Sequence, residues 1–176
     1  MVQPIPAGYH SVTPYLMVRD AARAIAFYRD AFGAHEVMRF DGPNGKIAHA
    51  EVTIGDSHVM LADESPEFVG PQTLGGAGNE RAGPPQARIS PAAQSAEVSP
   101  MTLMLYVDDV DATFAQAVAA GATARRPVAD QFYGDRLGTL ADPFGHVWSI
   151  ATHREDVSLG EMQRRLASMN ADKTSG

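Results

Sequence analysis

The sequence predicts an α+β fold in which two βαβββ units lie side by side and form a cupped sheet. Three observations carry this. A strand–helix–three-strand order occurs twice in 176 residues. The two occurrences can be laid over each other residue by residue. A proline- and glycine-rich stretch separates them.

In the first unit, Ser11 to Val18 ("SVTPYLMV") reads as a strand whose Pro14 marks an edge, a bulge or an irregular start. "RDAARAIAFYRDAFG" reads as a helix. Asp20 suits its N-cap, Ala24, Ile25, Tyr28 and Phe32 form an apolar face, and Gly33 suits its C-cap. "HEVMRF", "IAHAEVTIG" and "HVMLAD" are strands, joined by the turns "DGPNGK" and "GDS". In the second unit "MTLMLYV" is a strand and "DDVDATFAQAVAAGA" a helix capped by Asp108 or Asp109 and ended by Gly121. "ATARRPVADQFYG", "RLGTLAD" and "HVWSIAT" supply three more strands. A last helix starts at Ser158, which stands in capping-box spacing to Glu161.

Between the units, Glu64 to Pro100 holds half the prolines of the chain and little periodicity. The stretch from about Gly75 to Ser99 is therefore expected to be mobile. The repeat itself appears when "TPYLMVRDAARAIAFYRDAFG" is set above "TLMLYVDDVDATFAQAVAAGA". Thr13 meets Thr102, Leu16 meets Leu105, Val18 meets Val107, Asp20 meets Asp109 and Ile25 meets Phe114. The expected divisions are a first module at 10–64, a flexible insertion at 65–99, a second module at 100–155 and a C-terminal helix at 156–170, all within one domain.

Composition narrows the function. A net charge of −7 argues against a nucleic-acid partner. There is no cysteine, which removes disulfides, thiolate metal ligands and thiol catalysis. No apolar run nears the roughly 20 residues that cross a membrane, and "MVQPIPAGYH" lacks the regions of a signal peptide. A cytoplasmic protein is expected. Phosphate-binding glycine loops, a G-x-S-x-G elbow and a Walker motif are absent from the sequence.

"TPYLMVRDAARAIAFYRDAFGA", "IAHAEVTIGDSHVMLADE", "TLMLYVDDVDATFAQAVAAGA", "YGDRLGTLADPFGHVWSIATH" and "EDVS", in that order over most of residues 11 to 158, resemble the glyoxalase/bleomycin resistance/dioxygenase superfamily, or vicinal oxygen chelate proteins. Within it they are similar to the PhnB-like branch. The resemblance implies the cupped mixed sheet of that fold, a ligand cleft on its concave side and a homodimer. It also implies four metal-ligand positions, one on the first and one on the last strand of each half. Here these fall on Thr13, Met60, Thr102 and Ser149. Three hydroxyls and a thioether, with no charged donor, suit no catalytic divalent cation. No metal and no cofactor are expected, and Lewis-acid chemistry of the glyoxalase kind is not expected either.

Strand alternation selects the candidate site. If Ala50, Val52 and Ile54 pack under the helix, then His49, Glu51 and Thr53 face the cup. The His49/Glu51 pair reads either as a relocated metal site or acid–base pair, or as a polar cleft wall. Tyr15, Met17, Met104 and Tyr106 share the inward parity, as does His153. The expected ligand-binding set is Tyr15, His49, Glu51, Met104, Tyr106 and His153, with His49 and Glu51 the only catalytic candidates. A three-histidine site from His49, His58 and His153 is a further option. Asp135 and Arg136 read as a carboxylate-binding pair or a local ion pair, and His146, Trp148 and Ile150 as outward, structural residues. Two functions follow from these readings. One is metal-free sequestration of a small organic molecule, as in bleomycin-resistance proteins. The other is an enzyme using a relocated metal or the His49/Glu51 pair. A scaffold whose cup is filled by its own side chains is the third reading.

Overall fold

In the computed structural model, which describes residues 2–71 and 101–174, both units form as expected. The first runs β1 (Tyr15–Val18), α1 (Ala21–Phe32), β2 (His35–Asp41), β3 (Ile47–Ile54) and β4 (Ser57–Asp63). The second runs β5 (Thr102–Tyr106), α2 (Val110–Ala119), β6 (Thr123–Asp130), β7 (Asp135–Ala141) and β8 (Val147–His153). A final helix, α3 (Leu159–Thr174), extends past the expected 156–170. Its first turn is capped as the sequence suggests, with the Glu161 amide donating to the Ser158 hydroxyl at 3.3 Å. The stretch expected to be mobile lies outside the described residues.

Local chemistry accounts for the helix ends. The Asp20 carboxylate accepts from the Arg23 amide at 3.0 Å, and the Asp109 carboxylate from the Ala112 amide at 3.0 Å. Asp109, not Asp108, is thus the cap of α2. Gly33 closes α1 in the left-handed conformation. Pro127 lies in β6, an edge strand whose pairing with β7 is irregular on both sides of Arg126, where a missing amide donor is tolerated.

Each unit makes its own four-stranded mixed sheet, in the orders β1-β4-β3-β2 and β5-β8-β7-β6. The first and last strands of each unit run parallel, and the other pairs are antiparallel. Among the described residues no strand pair links the two sheets. They meet through their helices instead. The Gln116 side chain of α2 donates to the Asp30 carbonyl of α1 at 2.7 Å. Trp148 of β8 lies against two rings of α1, with centroids 4.8 Å from Phe32 and 5.6 Å from Tyr28. One apolar core therefore runs through both halves, from Leu16, Ala50, Val52 and Leu61 to Leu140, Trp148 and Ile150. Each sheet's cupped face is the face turned away from this core.

The close approach of α2 to the second sheet depends on Gly138. A Cβ there would stand 2.8 Å from both the Phe114 ring and the Val128 side chain.

Candidate functional site

The first cupped face is built on β3. Ala50, Val52 and Ile54 are buried against the core, so alternation turns His49, Glu51 and Thr53 onto the cupped face, as expected. Cross-strand register then sets their neighbours. Tyr15 of β1 lies beside Met60 of β4, which lies beside Glu51, which lies beside Met38 of β2. Phe40 lies beside His49 and His58 beside Thr53.

Glu51 is the centre of a polar network. Only 7% of its side chain is exposed. One oxygen lies 3.1 Å from His49 Nε2, and the other accepts from the Tyr9 hydroxyl, with His58 Nδ1 at 3.9 Å. On the far side of the imidazole, the Tyr15 hydroxyl is 3.0 Å from His49 Nδ1. The tautomer with its proton on Nε2 fits both contacts: Tyr15 donates to Nδ1 and Nε2–H donates to Glu51. Partial burial raises the pKa of the Tyr15 phenol. The rings stack in turn: Tyr9 on His58, with centroids 4.0 Å apart, and Tyr15 and Phe40 on His49. Phe40 is 60% exposed, so an apolar wall stands open beside the carboxylate.

A second network occupies the other cupped face. The buried Asp135 carboxylate accepts from the Tyr106 hydroxyl at 2.9 Å and lies 2.7 Å from His153 Nδ1. His153 Nε2 lies 3.1 Å from the exposed Asp156. The bond to Asp135, then that to Asp156, raises the His153 pKa and favours an imidazolium bridging two carboxylates. The bond to Asp135 likewise raises the Tyr106 phenol. Tyr106 and Met104 are exposed on this face.

The six expected ligand residues thus fall into two groups. Tyr15, His49 and Glu51 share the first sheet, and Met104, Tyr106 and His153 the second. No hydrogen bond, ion pair or ring contact among the described residues joins the groups. The three-histidine option is not assembled, because His153 lies on the other sheet from His49 and His58. Asp135 and Arg136 do not act together. Alternation sends Arg136 to the opposite face, where it grips Asp111 of α2 through two bonds of 2.7 and 2.8 Å and Asp130 at 3.1 Å. This is the structural reading of that arginine. Four members of the networks, Tyr9, His58, Asp135 and Asp156, were not in the expected ligand-binding set. Asp135 shares the inward parity of Leu137 and Thr139 and could have been found by alternation. Tyr9 stands in a segment with no period to read.

A protein-family model described as the glyoxalase/bleomycin resistance protein/dioxygenase superfamily matches residues 8–150. The chain belongs to this superfamily. An uncharacterized protein of Mycobacterium bovis is 39% identical over 163 residues, 90% of this chain and 93% of that protein. One from Mycobacterium tuberculosis is also 39% identical, over 90% and 83% of the two chains. Among solved structures, TioX from Micromonospora sp. ML1 matches with a TM-score of 0.55 at 23% identity, over 82% of this chain and 98% of that one. The fosfomycin resistance protein FosX from Mesorhizobium loti matches with 0.54 at 18%, over 88% and 97%. These structures share the fold.

The superfamily's metal site can be tested against the residues of this member. Met60 and Ser149 have Tyr15 and Met104 in register beside them on the parallel first strands. Thr13 precedes β1, where its hydroxyl donates to the His10 carbonyl, and Thr102 lies beside Val147. None of these six side chains is a carboxylate or an imidazole, so they do not fit a hard divalent cation. Among the described residues no group of three or more histidines and carboxylates is placed to hold a metal ion. No helix among them is long and apolar enough to cross a membrane.

Proposed function

We propose that this superfamily member binds a small organic molecule on the cupped face of its first sheet, without a metal, and acts by sequestration. The observation that carries the reading is Glu51: a nearly buried carboxylate held among Tyr9, His49 and His58, beside the open wall of Phe40 and Tyr15. Such a mixture of apolar walls and a few convergent polar groups suits a ligand site. On this reading the chain is a cytoplasmic, metal-free member of the PhnB-like branch, which the motifs quoted above resemble.

We propose further that the chain works as a homodimer. Its two cupped faces turn away from a shared core, so a second copy can bring Met104, Tyr106 and His153 up to Tyr15, His49 and Glu51. Light scattering should then give twice the 18.8 kDa chain mass; the single mass at micromolar concentration would contradict it.

A thermal-shift screen of a small-molecule library tests binding. A ligand at about 100 times its dissociation constant adds roughly 2.7 kcal/mol. Hits should weaken in Glu51→Gln, and elemental analysis should find no stoichiometric divalent metal. A second reading has the Tyr15–His49–Glu51 relay behind it, which is the arrangement an acid–base pair needs. Turnover of a bound hit, abolished by His49→Gln, would favour it.

A further inference from the structure

Residues 2 to 14 form neither helix nor strand, and from residue 2 to residue 12 every one is exposed except Tyr9. Val2 and Val12 are almost wholly in solvent. The segment nevertheless lays the Tyr9 ring on the His58 imidazole, 24° from parallel, and passes its hydroxyl to Glu51. Gly8, at a φ of +84°, lets the backbone turn there, and a side chain in its place would come within 3.2 Å of His58 Nε2. The segment's end is tied to the sheet where the Met60 amide donates to the Pro14 carbonyl at 2.9 Å, and before that point Tyr9 is the side chain that reaches the sheet.

The place that Tyr9 fills is made by the sheet. His58 is its floor, and a Glu51 oxygen is the acceptor at its end. Among the described residues that oxygen has no other hydrogen-bond donor, since His58 Nδ1 stays 3.9 Å away. His58 Nδ1 itself is buried without a hydrogen-bond partner among the described residues. Removing Tyr9 alone would strip a nearly buried carboxylate of a donor, which is costly unless another donor arrives. An incoming carboxylate or phosphate would meet Glu51 as a like charge. A flat ring bearing a hydroxyl or amino group reproduces what Tyr9 provides.

We infer that Tyr9 is a built-in occupant of a ring-binding subsite, and that the ligand of the first sheet is a planar aromatic with a hydrogen-bond donor, a phenol or aryl amine, which exchanges with the Tyr9 side chain. This rests on the reading of the first cupped face as the binding face. The N-terminal segment is then a strap that the ligand lifts.

The test uses 4-methylphenol, which is the tyrosine side chain as a free molecule, and its methyl ether, which has no donor. Binding is read from the His58 ring resonances of the full chain. In Tyr9→Ala the phenol should bind at least tenfold tighter than in the wild type, and at least tenfold tighter than the ether. Adding Glu51→Gln should shrink the preference over the ether below threefold. Tyr9→Phe, which keeps the ring and drops the hydroxyl, should fall between wild type and Tyr9→Ala in phenol affinity. It settles the matter if the Glu51 variant does not fold. Equal phenol affinity in the wild type and Tyr9→Ala, or no preference over the ether, overturns the inference. A library compound that binds the first sheet with Tyr9 still on His58 also overturns it and leaves the binding reading standing. If no compound perturbs the first sheet of either protein, both fall.

Discussion

The Tyr28 hydroxyl of α1 donates to the Asp142 carboxylate, 114 residues away in the second half, at 2.8 Å, and both side chains are fully buried. The same oxygen accepts from Trp148 Nε1 at 3.0 Å, and the other from the amides of Phe144 and His146 at 2.9 Å each. One carboxylate thus forms the "DPFGH" turn and ties it to the helix of the other unit.

Tyr28→Phe should cost about 1–3 kcal/mol, the usual price of breaking a buried bond to a charged group. Asp142→Ala should cost more, because it strands the Tyr28 hydroxyl, the indole N–H and two amides. Urea titration followed by circular dichroism checks both, and a Tyr28→Phe protein as stable as the wild type would show that the bond contributes nothing.

Asp142 also sets an acid limit. Burial pushes its carboxyl up, but the His146 imidazole and the Trp148 bond outweigh this, and its pKa is lowered. A carboxylate lowered in the folded state contributes stability above its unfolded value of about 3.9, lost as pH falls through the folded value. Thermal midpoints measured from pH 5 downward should fall less steeply in Asp142→Asn, which starts from a lower midpoint.

His153 should act in the opposite direction. Its raised pKa gives stability that is full below about pH 6.5 and is lost as pH rises through the folded value. The thermal midpoint of the wild type should therefore decline from pH 6 toward pH 8.5 by more than that of His153→Gln. Parallel curves would mean that the bridge to Asp135 and Asp156 is energetically silent.

Gly138→Ala should destabilise the second unit by about 1–3 kcal/mol, the range for overpacking, because the Phe114 ring and Val128 must both give way. Phe114→Leu in the same chain should recover part of the loss, a coupling that a double-mutant cycle measures.

The strands and their faces were legible because alternation is local. Ala50, Val52 and Ile54 are buried and His49 and Glu51 are not on their side, as a period of two requires. Helix caps were legible for the same reason, since Asp20 and Asp109 reach only three residues along the chain. What could not be read depends on distant contacts. Parallel register is fixed by backbone bonds between remote strands, so Tyr15 and Met104, not Thr13 and Thr102, stand beside Met60 and Ser149. Tyr9 reaches Glu51 across 42 residues from a segment without pattern. The separation of the six candidates onto two sheets follows from helix packing, which leaves no mark on either strand.

Trp148 is the only tryptophan of the chain, and it lies where the second half touches the rings of α1, on the side of β8 away from the cup. The protein therefore carries an optical gauge of one event. Its intrinsic fluorescence should shift to the red and lose the excitation passed from Tyr28 when the two halves part. A compound settling on the first sheet should leave it almost unchanged, so emission separates undocking of the halves from occupancy of the site without any added dye.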